Sequence, residues 1–279
     1  MASETIYDHP LYYDILFGFD RSQEAEFYHR IFSRYGFAAG ERVLEVAAGP
    51  TRVGRLLARR GWRVSALDRS AAMLAFAAAE AASEATSLDT LCADMTAFSA
   101  RDPFAAAYNP LSSFRLLHSD AEADAHLRCM ASVLRPGGVY VLDLAFQTRP
   151  DAPLTTTDEG WEMTRGAVTV RGKNDAVYVT DAGVKRRLAW GAGVHLRGYT
   201  GNEFAERVGA CPDLAIESWH PETGRATGVS EFDLEGEAGE RWACWFCARA
   251  RTCAADPRAT GSPPGAGDRP SASPEPTAI

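Results

Sequence analysis

A segment of small residues follows the first strongly apolar run of the chain. Residues 43–51 read Val-Leu-Glu-Val-Ala-Ala-Gly-Pro-Thr, and a helical pattern comes next. Small residues at such a turn let a ligand approach the backbone amides, and the start of a helix favours the negative end of a ligand. Asp68 ends the next apolar run, 19 residues after Gly49. A carboxylate there accepts hydrogen bonds from both ribose hydroxyls of an adenosine. The spacing therefore predicts a site for an adenosine-containing ligand.

The same segment lacks most of the glycines of a dinucleotide-binding turn. The pattern G-x-G-x-x-G falls on residues 47–52, and of its glycines only Gly49 is present. This counts against a diphosphate ligand. Glu45 adds to the argument, because a carboxylate directed at the ligand suits an ammonium group better than a diphosphate. We therefore expect a ligand with a ribose and a positive group. A nicotinamide-dependent oxidoreductase would share Asp68 and is the less favoured alternative.

The elements that must position these residues alternate between strands and helices from about residue 40 to residue 146. Such alternation is typical of an α/β sheet with crossover helices. The predicted strands are 42–48, 63–67, 87–93, 104–108 and 139–144, and the predicted helices are 52–60, 70–83 and 121–134. Ser70 and Asp120 are the expected N-caps of the second and third of these helices. Residues 135–138, Arg-Pro-Gly-Gly, are expected to end the third helix.

The sequence changes character on both sides of this region. Two amphipathic helical segments rich in Tyr and Phe precede residue 40, and we expect a helical cap over residues 1–40. The main domain is expected over 41–250, with an antiparallel insertion at about 150–198, a helix at about 201–209 and closing strands at 214–219 and 242–249. Residues 254–279 are rich in Pro, Ala, Gly and Ser and have no aromatic residue. This composition predicts a disordered tail.

Composition narrows the class of protein and of partner. The chain has 279 residues, of which 46% are hydrophobic and 24% charged, as in an ordinary globular protein. A net charge of −8 repels polyanions, so nucleic acid is not an expected partner. The six cysteines are scattered, which favours a reduced cytoplasmic location. No apolar run approaches the length of about 18 residues that a membrane helix needs, and no secretion signal precedes the first helical segment.

A metal ion is not expected either. Cys244 and Cys247 have the spacing C-x-x-C, but on a strand two residues three apart point to opposite faces. Their sulfur atoms would then not converge on one ion.

Five segments, taken in order, resemble the class I methyltransferases that use S-adenosylmethionine. They are VLEVAAGP at 43–50, ALDRSAAML at 66–74, CADM at 92–95, YNPLSSF at 108–114 and LRPGGVYVLDL at 134–144. The chain is also similar to small-molecule methyltransferases that begin with a helix bearing Tyr and Asp, here Tyr12-Tyr13-Asp14. The resemblance implies a Rossmann-like, seven-stranded sheet with an N-terminal helical cap and a small antiparallel insertion. It further implies S-adenosylmethionine as cofactor and a small-molecule methyl acceptor.

The resemblance also implies roles for particular residues. Glu45, Ala47 and Gly49 would form the loop beside the methionine end of the cofactor, and Asp68 would bind the ribose. The other implied contacts are Arg69 and Met73 beside the adenosine, Asp94 and Met95 at the adenine edge, Asn109, Pro110 and Leu111 beside the sulfonium, and Tyr13 closing over the cofactor. Many members have Gly at the position of Ala47 and again at that of Thr51. Alanine suits its position if its φ is negative.

Methyl transfer from a sulfonium is an in-line displacement, so positioning and desolvation supply much of the acceleration. A base is optional, although a hydroxyl acceptor must lose its proton. His118, soon after the fourth strand, and His195, in the insertion, are the candidate bases. The residues leave open whether the acceptor atom is oxygen, nitrogen or carbon, and they leave the oligomeric state open. A non-catalytic S-adenosylmethionine-binding protein is the other alternative.

Overall fold

Short apolar strands form the centre of the molecule. In a computed structural model of the protein, the residues described are 4–147, 160–173, 176–190, 196–220 and 240–249. The strands are β1 (Arg42–Val46), β2 (Arg63–Asp68), β3 (Asp89–Cys92), β4 (Phe104–Asn109), β5 (Leu134–Gln147), β6 (Trp161–Arg165), β7 (Val168–Gly172), β8 (Val177–Asp181), β9 (Val184–Leu188), β10 (Leu214–His220) and β11 (Glu240–Arg249). Seven of them form one sheet in the order β10-β11-β5-β4-β1-β2-β3. Strands β1 to β5 pair in parallel, whereas β11 runs antiparallel to β5 and β10 antiparallel to β11. The predicted fold class, including the two closing strands, is confirmed.

Helices cover both faces of this sheet. They are α1 (Pro10–Leu16), α2 (Ser22–Arg34), α3 (Arg52–Arg59), α4 (Ala71–Ser83), α5 (Asp120–Val133) and α6 (Gly201–Gly209). On one face, α2 and α3 pack on side chains such as Val43, Tyr108 and Val141. On the other face, α5 and α6 pack on alternate residues such as Leu44 and Leu142. Successive residues of a strand point to opposite faces of the sheet. Val139 and Val141 of β5 therefore both face α2 and α3.

One of the two predicted N-caps is confirmed, and the other is wrong. Ser70 caps α4 as predicted, with its Oγ accepting from Met73 N at 3.2 Å. Asp120 does not cap α5, because its carboxylate pairs with Arg197 and Arg207. The N-cap is Ser119, which forms a capping box with Glu122. The expectation for Asp120 was therefore wrong by one residue.

The segment Arg135–Gly138 lies inside β5 and does not form a turn before it. The pairing of β4 with β5 changes register between Phe104 and Ala106, which accommodates the extra residues. Gly138 is needed there, since a Cβ atom on it would lie 3.0 Å from the carbonyl oxygen of Ala105 and 2.9 Å from that of Arg135. The helix therefore ends at Val133, and the strand begins directly after it.

A second, antiparallel sheet lies within the predicted insertion. Its four strands follow in the order β6-β7-β8-β9. One face packs against the N-terminal cap, where Ile15 and Leu16 of α1 meet Val170, Val177 and Leu188. The predicted tail at 254–279 and His195 lie outside the described residues. Within the described ranges, no helix has the length and apolar character needed to span a membrane.

Candidate functional site

The site lies at the carboxyl ends of β1 and β4, where the order of the sheet reverses. Strand β1 pairs with β2 on one side and with β4 on the other, and the connections from β1 and β4 leave toward different faces. Such a switch point opens a crevice outside the strand ends, where open α/β sheets bind ligands. The loop 47–51 follows β1 at this crevice, and the loop 110–113 follows β4.

The loop 47–51 has an alternating left-handed backbone. Ala47, Gly49 and Thr51 have φ angles of 53°, 52° and 53°. Glycine adopts this conformation freely, whereas a residue with a Cβ atom is strained in it. Ala47 therefore does not have the negative φ that would suit alanine, and the departure from glycine leaves a strained loop. Strain of this kind is typical of functional sites.

Asp68, at the end of β2, is directed at this loop. Its Oδ2 accepts a hydrogen bond from Gly49 N at 2.8 Å, and its Oδ1 accepts one from Ser70 N at 2.8 Å. The carboxylate is partly buried, so part of its edge is open. Tyr7 lies close enough to Asp68 and Arg69 for their charges to act on its hydroxyl. Burial is the larger effect and raises the pKa of that hydroxyl. Sequence reasoning missed Tyr7, although it stands in the Tyr-rich N-terminal segment.

Glu45 is buried beneath the start of α3. Its Oε2 accepts from Gly54 N at 3.0 Å and from the Tyr108 hydroxyl at 3.0 Å. Burial raises its pKa to about 8. A Cβ atom on Gly54 would lie 2.5 Å from Glu45 Oε2 and 2.4 Å from Thr51 Cγ2, so only glycine fits. The carboxyl group is thus fixed at the base of the crevice.

Tyr13 of α1 covers the loop. A Cβ atom on Gly49 would lie 3.8 Å from Tyr13 Cε1, and the Tyr13 ring packs against Tyr7 and Phe17 with centroid distances of 5.4 and 4.6 Å. The side chain is partly buried, and desolvation of its hydroxyl raises the pKa of that group. The cap and the loop that the sequence assigned to one site are therefore in contact.

A cavity of about 40 Å³ lies between the loops and the cap. It is lined by Tyr13, Arg21, Glu24, Glu45, Ala47, Ala48, Pro50, Arg52, Val53, Pro110, Leu111 and Ser113. Sequence reasoning missed Arg21 and Glu24, whose side chains are buried and paired at 3.2 Å. A signal was available: Glu24 stands at helical spacing from Phe27 and Tyr28, which places a carboxylate on an apolar helix face.

The residues expected at the adenine edge lie beyond β3. Asp94 is exposed, and its Oδ1 accepts from Thr96 N at 2.8 Å and from Thr96 Oγ1 at 2.6 Å, which lowers its pKa. The carbonyl oxygen of Met95 accepts from the buried His126 Nδ1 at 2.9 Å. His126 Nε2 meets the Tyr140 hydroxyl at 2.8 Å, so Nδ1 carries the proton and Nε2 accepts. His126 of α5 thus holds the turn after β3 in place, with one hydrogen bond to the turn and one to β5.

The other predicted residues divide between surface and interior. Arg69 is exposed beside Asp68, whereas Met73 is 1% exposed. Asn109 is buried, with Nδ2 donating to Val46 O at 3.3 Å and Oδ1 accepting from Phe114 N at 2.9 Å. It therefore joins β1 to the segment after β4. The imidazole of His118 is exposed, and its backbone N–H donates to Glu122.

Residues 43–138 match the family model described as a methyltransferase domain. These residues form a methyltransferase domain. The matched region contains β1 to β4, both loops of the site and most of the predicted cofactor residues. No curated protein sequence matches the chain significantly. Among the described residues, no group of His, Cys, Asp and Glu side chains is arranged to hold a metal ion.

Solved structures of methyltransferases share the fold around this domain. An S-adenosylmethionine-dependent methyltransferase from Clostridium acetobutylicum superposes with a TM-score of 0.63 at 15% identity, over 85% of this chain and 96% of that chain. The sugar N-methyltransferase KedS8 from Streptoalloteichus gives 0.61 at 20% identity, over 90% and 95%. The S-adenosylmethionine-bound amino pentose methyltransferase CalS10 from Micromonospora echinaspora gives 0.59 at 20%, over 84% and 93%.

The family model over residues 43–138 thus confirms the resemblance to methyltransferases, and the solved structures confirm the fold.

Proposed function

We propose that this protein transfers the methyl group of S-adenosylmethionine to a small-molecule acceptor. The observation that carries the proposal is the convergence, at one switch point, of the strained loop 47–51, Asp68 and a covered cavity with charges of both signs. These three features fit a nucleoside with a zwitterionic amino-acid end. A dinucleotide would instead require space and amide donors for a diphosphate, and here Glu45 and Glu24 stand in that place.

The residues of the cavity fit the methionine end of the cofactor. Arg21 is the buried cation for its carboxylate, and Glu24 and Glu45 are the carboxyl groups that would ionise beside its ammonium group. Glu24 Oε1 is buried without a hydrogen-bond partner, so a charged group of the ligand would satisfy it. A cavity of about 40 Å³ accommodates a few polar atoms and not a nucleoside.

The adenosine would therefore lie outside this cavity, along the exposed edge from Asp68 toward Asp94. Bound there, S-adenosylmethionine supplies an activated methyl group on a sulfonium that is its own leaving group. The chain binds the two ends and holds Tyr13 over the loop, which excludes water from the reacting centre.

Three features support a small acceptor. Among the described residues, the cap and the second sheet pack together around Tyr13 on one side of the crevice. The net charge of −8 disfavours a nucleic-acid acceptor. KedS8 and CalS10, which share the fold, are a sugar N-methyltransferase and an amino pentose methyltransferase. The assignment of His118 as a base stays a prediction, because its exposed imidazole makes no contact that directs it to the cavity.

Isothermal titration of an Asp68→Asn variant tests the site. Losing the charge-assisted hydrogen bonds to the ribose should weaken binding of S-adenosylmethionine by about 1–3 kcal/mol, a factor of roughly 5 to 150. The matched control is Asp89→Asn, an exposed carboxylate on β3 of the same sheet, which should bind as the wild type does. Equal affinity of the Asp68→Asn variant and the wild type would show that Asp68 does not bind the ribose.

Detection of product tests the reaction. Wild-type protein incubated with S-adenosylmethionine and a panel of amino sugars and phenols should form S-adenosylhomocysteine together with an acceptor that has gained one methyl group. Tight cofactor binding without a methylated product across amines, phenols and alcohols would favour the non-catalytic alternative.

A further inference from the structure

The N-terminal cap and the second sheet are fastened to each other. The chain before α1 pairs with the end of the second sheet, where Ile6 N donates to Ala189 O at 2.9 Å. Within α1, the Tyr12 hydroxyl donates to Asp181 Oδ2 at 2.8 Å. Apolar side chains of α1 and of the sheet pack between these polar contacts. Residues 4–17 and strands β6 to β9 therefore form one packed unit, which we call the lid.

The carboxyl end of α1 is held by side chains from outside the helix. The last carbonyl oxygens of a helix have no partner within it. Arg52 donates to the carbonyl oxygen of Asp14 at 3.1 Å and to that of Phe17. Trp161 Nε1 donates to the carbonyl oxygen of Leu16 at 2.9 Å. Because Arg52 begins α3 and Trp161 begins β6, the end of α1 is bound to the main domain on one side and to the second sheet on the other.

The carboxylate of Asp14 bridges the same two elements. Asp14 is 1% exposed. Its Oδ2 lies 2.8 Å from a guanidinium nitrogen of Arg165 on β6, and its Oδ1 lies 3.7 Å from one of Arg52. The Arg165 side chain is half exposed, whereas that of Arg52 is largely buried. Because a buried carboxylate is costly unless it is paired, Asp14 ties both cations to one point of α1.

Asp14 lies outside the cavity, but two of its neighbours line it. Tyr13, the preceding residue of α1, covers Gly49 and lines the cavity, and Arg52 lines the cavity from the start of α3. Since α1 carries Tyr13, a displacement of the helix end also displaces the ring from Gly49. A change at Asp14 would therefore act on a bound cofactor only through the positions of Tyr13 and Arg52.

We propose that Asp14 is a positioning residue for methyl transfer: paired with Arg52 and Arg165, it holds the lid closed over the cofactor. This inference rests on the proposed function and adds to it the step that limits release of the cofactor. The lid opens when the contacts of Asp14 break, and the methionine end of the cofactor then leaves the cavity. Arg165 thus acts on the cofactor from the second sheet without touching it.

The pairing at Asp14 should control both rate constants of the cofactor. The cofactor enters and leaves through the open lid, and weaker pairing raises the fraction of molecules in which the lid is open. Dissociation should therefore become faster, and association should become faster or stay equal. A general disruption of the site would instead slow association.

Surface plasmon resonance of S-adenosylhomocysteine on the immobilised full-length protein measures both rate constants without turnover. Arg165→Gln removes one cation and should raise the dissociation rate constant about threefold or more, because a half-exposed charge-assisted hydrogen bond is lost. Asp14→Asn removes the anion that both cations share and should raise it about tenfold or more. Arg165→Lys keeps the positive charge and should restore most of the slow dissociation. The matched control is Lys185→Gln, an exposed cation on the opposite face of the same sheet, which should behave as the wild type does.

The two substitutions should not act independently. Both break the contact between Asp14 and Arg165, so the double variant with Asp14→Asn and Arg165→Gln should release S-adenosylhomocysteine no faster than Asp14→Asn alone. Independent effects would multiply, and a double variant whose effect equals the product of the two single effects would overturn the proposed pairing.

The outcomes separate this inference from the proposed function. Failure of S-adenosylhomocysteine to bind the wild type would overturn both. Normal binding, with wild-type dissociation in Arg165→Gln and in Asp14→Asn, would overturn the role of Asp14 alone. Slower association in Arg165→Gln, or equally fast dissociation in Arg165→Lys and Arg165→Gln, would do the same. The Arg165 variants keep the test decisive if Asp14→Asn does not fold, because that side chain is half exposed.

Discussion

Replacing Ala47 with glycine should stabilise the protein. Ala47 has a φ of 53°, in the left-handed region, where a Cβ atom crowds the backbone. The residue is only partly buried, so its methyl group contributes little to the core. Gly49, two residues later, adopts the same conformation without strain. The substitution Ala47→Gly therefore removes strain while keeping the path of the loop.

The magnitude follows from two opposing contributions. Left-handed backbone costs a residue with a side chain about 1–2 kcal/mol. Glycine loses about 0.5–1 kcal/mol more conformational free energy than alanine on folding. The difference predicts that Ala47→Gly raises the free energy of unfolding by about 0.5–1 kcal/mol. For a domain of this size, that corresponds to a rise in Tm of roughly 1–4 °C.

Thermal unfolding of four proteins measures this effect: the wild type, Ala47→Gly, Ala48→Gly and Ala85→Gly. Ala48 is buried and its φ lies outside the left-handed region, so glycine there should lower Tm. Ala85, exposed after α4 with a φ of 55°, should respond as Ala47 does. A drop in Tm for Ala47→Gly as large as that for Ala48→Gly would refute the left-handed conformation of the loop.

Three further predictions concern residues beneath and beside the site. Gly54→Ala should lower the free energy of unfolding by about 1–3 kcal/mol in urea, because its Cβ would meet Glu45, whereas Gly209→Ala, with open space around it, should be neutral or stabilising. The raised pKa of Asp143 means that the native state binds more protons than the unfolded state, so stability should fall between about pH 4 and pH 8. Thermal scans should therefore show Asp143→Asn gaining stability relative to the wild type as pH rises through this window, and a constant difference would contradict the burial of that charge. His126→Phe should weaken binding of S-adenosylmethionine in calorimetry, because it removes the hydrogen bond to the Met95 carbonyl. Since burial lowers the pKa of His126 to about 4, its contribution to stability should be lost in the wild type as pH falls from about 6.5 to 4.

The alternation of apolar strands and helices was sufficient to predict the main sheet. Parallel strands are buried on both faces and read as short apolar runs, so β1, β2 and β4 were found to within a few residues. Asp68 followed from the same reasoning, because its position depends only on the end of a strand and its distance from a turn. These features are local in the sequence, and local patterns specify them.

The charged groups of the cavity could not be predicted in the same way. Glu24 comes from α2 and Arg21 from the residue before it, Glu45 comes from β1 and the nearby Asp143 from β5, and only the folded chain brings them together. In the sequence, Asp143 is a single acid inside an apolar strand, and nothing near it indicates a partner. The left-handed φ of Ala47 was missed for another reason: alanine seldom adopts it, so the residue type argued against the conformation that the loop requires.

Calorimetric titration of the purified protein with S-adenosylmethionine, S-adenosylhomocysteine and NADH tests the central claim most directly. The arrangement of Asp68, the loop 47–51 and the charged cavity predicts micromolar binding of both sulfur compounds and no binding of NADH. Binding of NADH alone would contradict the account and favour an oxidoreductase. Binding of none of the three would show that the crevice no longer holds a nucleoside cofactor.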